Sequence, residues 1–112
     1  MSKTLTSMKL ISMTCEQSVA QRALKLIEKL GVKSVRTHSI RLEEFGQESS
    51  VDLHESQIKL EFLVFGEMVE PIIAQLSAQF LNRFDVGFYI TEAQVLRPEI
   101  FCETGAGSVA QK

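Results

Sequence analysis

Tryptophan is absent from these 112 residues, and cysteine, proline and histidine occur only twice each. Cys15 and Cys102 have no C-x-x-C spacing, so neither a zinc site nor a disulfide framework is indicated. That usage suits a reducing cytoplasm, although one bridge between the two remains open to the sequence. Long apolar runs are also missing. The longest, Phe62 to Phe65, falls far short of the ~20 residues that span a bilayer. Nor is there an excess of positive charge: the formal net charge is -2 and the isoelectric point about 5.7, which excludes the field that phosphate-backbone binding needs. His38 and His54 have no partners at metal-ligand or triad spacing, so no catalytic and no metal-binding residue is assigned.

What is present is an ordinary globular balance, 45% apolar and 23% charged, enough to bury roughly two thirds of the unfolded surface in one core. The first residues already alternate like a strand and carry Lys9 where a signal peptide needs unbroken apolar sequence, so they are expected to be mature protein. A strand is predicted over Met8 to Thr14, apolar on both faces. An amphipathic helix follows over about Glu16 to Leu30, with Val19, Ala20, Ala23, Leu24, Ile27 and Leu30 at helical spacing and Gly31 as a left-handed cap. A second strand is expected over Ser34 to Glu44, then a long polar loop over about 45–56. The third strand, Ile58 to Phe65, sends Ile58, Leu60, Phe62 and Val64 to one face. A second helix runs over about Glu67 to Asn82, with Pro71 in its first turns, and a last strand over Val86 to Arg97 is stopped by Pro98. Residues 1–102 form the domain, and 103–112 a flexible Gly/Ser/Ala tail.

The order βαββαβ predicts an α+β, ferredoxin-like fold, a four-stranded antiparallel sheet with two helices on one face. With Phe62 and Val64 beneath the helices, Leu63 and Phe65 lie on the uncovered face, joined by residues such as Ile11, Met13 or Tyr89. An apolar patch of that size predicts a sheet-to-sheet oligomer.

The stretch Asn82-Arg-Phe-Asp-Val-Gly-Phe-Tyr-Ile-Thr-Glu-Ala-Gln-Val-Leu-Arg-Pro-Glu-Ile-Phe-Cys102 resembles the last strand and tail of P-II-like signal-transduction proteins, in particular their bicarbonate-transporter- or carboxysome-associated branch. Glu28-Lys-Leu-Gly-Val-Lys and Ile58-Lys-Leu-Glu-Phe-Leu-Val match the wider P-II family more loosely. The resemblance implies a cytoplasmic homotrimer that binds an adenine nucleotide (AMP or ADP, with ATP or cyclic AMP as further candidates) in clefts between subunits. It also implies that the loop over 45–56 changes order with the ligand and signals to a partner, a membrane transporter or a carboxysome-related protein, in inorganic-carbon metabolism, with bicarbonate as a second effector. By the same resemblance Leu63 contacts adenine, Gly87 approaches the nucleotide, and Arg97 reaches the phosphates, with Arg36, Ser39 and Arg41 facing the same region. A guanidinium suits that role because it offers permanent charge and a fork of donors.

The nitrogen-regulatory members carry a glycine-rich turn with a lysine before the last strand, whereas this chain has Asn82-Arg-Phe-Asp-Val-Gly, in which Arg83 stands in as the cation. Fewer glycines mean fewer freely approaching backbone N–H groups, which favours a mono- or diphosphate over ATP. The modified tyrosine and the Gly-x-Gly-x-Gln-Lys loop motif are missing as well. Competing readings are a nitrogen-metabolism P-II regulator, a small ferredoxin-like phosphatase using His38 or His54, and a metal-tolerance protein using Cys15, Cys102 or the histidines. Cys15 reads as a small buried residue rather than a thiolate at a helix start. Cys102 lacks the second tail cysteine of the redox-responsive relatives. The acidic run Glu43, Glu44, Glu48, Asp52 and Glu55 reads as solvated surface.

Overall fold

The computed structural model describes residues 4–43 and 56–103. Residues 45–55 of the expected loop, with His54, and the expected tail beyond Glu103 lie outside the described residues, while Ser56, expected to end that loop, already opens the third strand because it pairs with Arg41.

The chain runs β1 (Thr6–Glu16), α1 (Gln17–Lys29), β2 (Arg36–Arg41), β3 (Ser56–Val64), a 3-10 turn (Gly66–Met68), α2 (Val69–Leu76), a π turn (Ser77–Leu81), β4 (Gly87–Val95) and a final 3-10 turn (Pro98–Ile100). One four-stranded sheet in the order β2-β3-β1-β4 results, antiparallel at every pairing. This is the expected ferredoxin-like α+β fold. The second strand is shorter than expected, six residues, because the polar flanks Ser34 and Glu43 fall outside the ladder with β3.

Register decides which face each side chain takes. Ile11 pairs with Phe62 and Met13 with Leu60, and all four are at most 2% exposed. Directly opposed residues share a face, so Ile11 and Met13 lie under the helices, not on the open face with Tyr89 as expected. The reason is that β1 is apolar on both sides, and only its partner's register breaks the tie. Phe65 also departs from expectation: it sits beyond β3 and its carbonyl accepts a bond from the Met68 amide at 2.9 Å.

Against this face α1 buries Val19, Ala20, Ala23 and Ile27, and α2 with its π turn buries Ile72, Leu76 and Phe80. These spacings of three and four keep one stripe toward the sheet. Lys29 occupies the last turn of α1, where a cation complements the helix dipole. The helix stops at Gly31, whose φ of +101° is the one positive value among the described residues. Gly31→Ala is therefore expected to lower stability by about 1–2 kcal/mol through backbone strain. Urea denaturation checks this. Local space is not the issue, since an added Cβ would meet Met68 Cε only at an ordinary 3.7 Å.

Beyond β4 the chain turns back across the end of the sheet. Val32 and Cys102 form an isolated antiparallel bridge, the Lys33 amide donates to the Phe101 carbonyl at 2.9 Å, and the Glu103 amide donates to the Gly31 carbonyl at 2.8 Å. Residues 98–103 thus form a strap from the β4 edge to the link that precedes β2.

Candidate functional site

The open face begins with the alternate residues of four strands. On β3 these are Lys59, Glu61 and Leu63, which face Leu10, Ser12 and Thr14 of β1 and, on the other side, Arg36 and His38 of β2. Across β1, Tyr89 and Thr91 of β4 continue the same rows. Glu61 is the pivot: one carboxylate oxygen is 3.4 Å from His38 Nε2 and the other 3.2 Å from Lys59 Nζ. The hydrogen bond from Lys59 holds the Glu61 carboxyl below its ordinary range, and the same bond, aided by the charge of Glu61 and by Tyr89, raises the Lys59 ammonium. Both therefore stay ionised around neutrality.

At the end of the face where β2 begins, Leu10, Phe62, Leu63, Glu61, Arg36, Ser34 and Phe101 line a recess of about 10 Å³. Ser34 also borders a broader groove of about 290 Å³ between α1 and the β2 link, lined by Leu24, Glu28, Val32, Lys33 and Val35. Two of the residues implied by the resemblance, Arg36 and Leu63, thus meet in one place.

The others do not join them within one chain. Ser39 and Arg41 project from β2 to the opposite face, and Arg41 Nε lies 3.1 Å from a Glu43 carboxylate oxygen. Arg83 is exposed in the turn after α2, and Gly87 opens β4. At Gly87 an added Cβ would stand 3.0 Å from Thr14 Oγ1, a tight contact that the Thr14 hydroxyl would have to relieve by a few tenths of an ångström. Arg97 lies past the far end of β4, its side chain 71% exposed and its Nε 3.6 Å from Glu99. Nine strand residues separate the two ends of β4, on the order of 30 Å. By register Leu63 and Arg36 stand in mid-sheet, in the rows of Leu10 and Ser12, whereas Gly87 stands in the row of Thr14 and Arg97 lies past the row of Thr6 and Val95. The residues Leu10, Ser34, Glu61 and Phe101 were not foreseen in the sequence. The pairing of Glu61 with Arg36 across β2 and β3 was the only signal that could have found one of them, and it needs the register.

The cysteines are free and fully buried. Burial, with a smaller push from Glu16, raises the Cys15 thiol to about 11, and burial raises Cys102 as well. Neither is a ready thiolate, which agrees with the structural reading of Cys15. Cys102 Sγ sits 3.6 Å from Met68 Sδ. Among the described residues no group of three or more His, Cys, Asp or Glu is placed to hold a metal ion, and no helix is long and apolar enough to cross a membrane.

Neither a protein-family model nor a curated protein matches the sequence. Solved structures do match along nearly their whole length. One is described as a PII-like signalling protein from Thermus thermophilus, 26% identical, with a TM-score of 0.73 over 88% of this chain and 98% of that one. Another is CPII from Thiomonas intermedia bound to ADP and bicarbonate, 19% identical, with a TM-score of 0.73 over 89% and 99% of the two chains. CPII bound to ADP, AMP and acetate is 21% identical, with a TM-score of 0.71 over 87% and 96%.

Proposed function

We propose that this chain is a PII-like regulatory protein that assembles as a cytoplasmic homotrimer and binds adenine nucleotides, ADP or AMP before ATP, between its subunits. The observation that carries the reading is the recess where Leu63 and Arg36 meet. Leu63 supplies an apolar wall for a base and Arg36 a permanent charge for phosphate. The dispersal of the remaining residues, with Arg83 before β4 and Arg97 past its far end, supports assembly, in which a neighbouring copy completes the cleft. The open sheet face supports it too: Tyr89 is 51% exposed there, beside half-buried Leu10 and Ala93. The binding of ADP, AMP and bicarbonate by CPII, which has this fold, supports the class of ligand.

Arg97 joins the phosphates from the end of β4. Its pair with Glu99 is exposed, and such pairs contribute only about 0–1 kcal/mol, so phosphate competes for the guanidinium at little cost. Ser39 and Arg41, on the other face of β2, contribute from the strand edge. Occupancy is converted to a message by the loop that follows β2, through differential affinity for its states. The process is inorganic-carbon metabolism, with bicarbonate as a second effector and a transporter or carboxysome-related protein as partner. The role is regulatory, not catalytic. Among the described residues nothing favours the metal reading, since both thiols are buried and no group of three or more His, Cys, Asp or Glu stands together.

Calorimetric titration with AMP, ADP, ATP and cyclic AMP tests this. ADP or AMP is expected to bind, and Arg36→Ala and Arg97→Ala each to weaken binding by about tenfold or more, the usual scale for losing a charge-assisted phosphate contact. No binding by any of the four near millimolar concentration overturns the reading.

A further inference from the structure

We propose that the strap over residues 98–103 gates the recess, with the Phe101 ring as a plug that a nucleotide base must displace. The inference rests on the nucleotide-binding reading above and adds its regulation. As it stands the recess holds about 10 Å³, room for one water-sized body, whereas small-molecule pockets run to ~300 Å³ and more. Something must move before a purine can reach Leu63.

The lining residues differ in their freedom to do so. Leu10, Glu61, Phe62 and Leu63 come from the two central strands, and Arg36 is laddered to Glu61. Their backbones are held in the ladder, and of their side chains only that of exposed Arg36 can swing clear into water. Ser34 and Phe101 come from outside it, and of the two only Phe101 is bulky enough to fill the space. The ring is half-buried, and its backbone is held by the Lys33 amide, by the neighbouring bond from Glu103 to Gly31, and by Lys33 Nζ on the Glu99 carbonyl at 2.8 Å. All of these run to one short link, residues 31–33, so they can release together. Cys102, next to the plug, is fully buried while the strap is docked and its thiol donates to the Glu103 carbonyl at 3.2 Å. Releasing Phe101 exposes it. Arg97 immediately precedes the strap, so a phosphate that captures its guanidinium pulls at the strap's root.

The gate makes two quantities move together. A protein whose open form is a tenth of the population binds about tenfold more weakly than its site allows, and removing the plug restores that factor. Phe101→Ala is therefore expected to bind ADP about tenfold more tightly than the parent chain. In the parent chain, saturating ADP is expected to accelerate maleimide labelling of Cys102 several-fold, with the labelled cysteine assigned by peptide mass. Labelling needs no change at position 101, so it stands even if Phe101→Ala folds poorly. ADP binding with an unchanged or slower Cys102 rate overturns the gate and leaves nucleotide binding intact, as does an equal or weaker affinity in a folded Phe101→Ala. Absence of ADP binding by both proteins removes the gate together with the function it rests on.

Discussion

Phe80→Ala is expected to remove on the order of 3–5 kcal/mol of stability, the usual range for truncating a buried aromatic residue. A single domain holds only ~5–15 kcal/mol in all, so the variant should sit at the edge of unfolding. Phe80 is 2% exposed and comes from the π turn that ends the second helix, so its ring is the last fully buried side chain before the chain leaves for β4. Two interactions beyond burial converge on it. Phe84 packs against it in a tilted arrangement with centroids 6.4 Å apart, and the Arg22 guanidinium of α1 lies 5.8 Å from the Phe80 centroid and 5.2 Å from that of Phe84. A cation over an aromatic ring contributes about 0.5–2 kcal/mol, and here one guanidinium ties the first helix to the end of the second. Urea denaturation of Phe80→Ala, Arg22→Ala and the double variant measures both parts. A loss below about 1 kcal/mol for Phe80→Ala would mean that the core closes around the gap.

If the proposed trimer forms on the open sheet face, Thr91→Arg is expected to yield a folded single chain, with a sedimentation mass of 12.6 kDa in place of three times that. Thr91 is exposed and stands opposite Leu10, which itself stands opposite Leu63. In an isolated chain an arginine there projects into water and disturbs nothing. In an assembly built on this face it brings like charges together and strips them of water, a penalty of several kcal/mol per buried ion. An unchanged circular dichroism spectrum with the lower mass is the expected result. A variant that keeps the assembled mass at micromolar concentration would place the interface elsewhere.

Helical spacing alone located both helices, and Gly31 was legible as a cap because no other residue type takes its backbone conformation so cheaply. The face assignment of Ile11 and Met13 was not, since a strand apolar on both sides satisfies either choice and only pairing with Leu60 and Phe62 selects one. The site shows the same division. Arg36 and Leu63 could be named because they stand on strands whose place in a family plan is regular. Phe101 could not, because its presence at the recess depends on a strap that crosses the sheet and bonds to residues 31–33, a contact with no local pattern. The π turn was equally invisible, as Ser77 to Leu81 continues the spacing of an ordinary helix.

The central position of β1 has a consequence for how the protein comes to be made. It pairs with β3 on one side and β4 on the other, and Thr6 finds its partner in Val95. The first strand synthesised must wait for the last before both of its edges are covered. Contacts so distant along the chain make folding slow relative to helical proteins of the same size. During synthesis β1 is an apolar ribbon with an open edge, the kind of segment that nascent-chain chaperones hold, and this domain completes its sheet only after the ribosome has delivered nearly all of it.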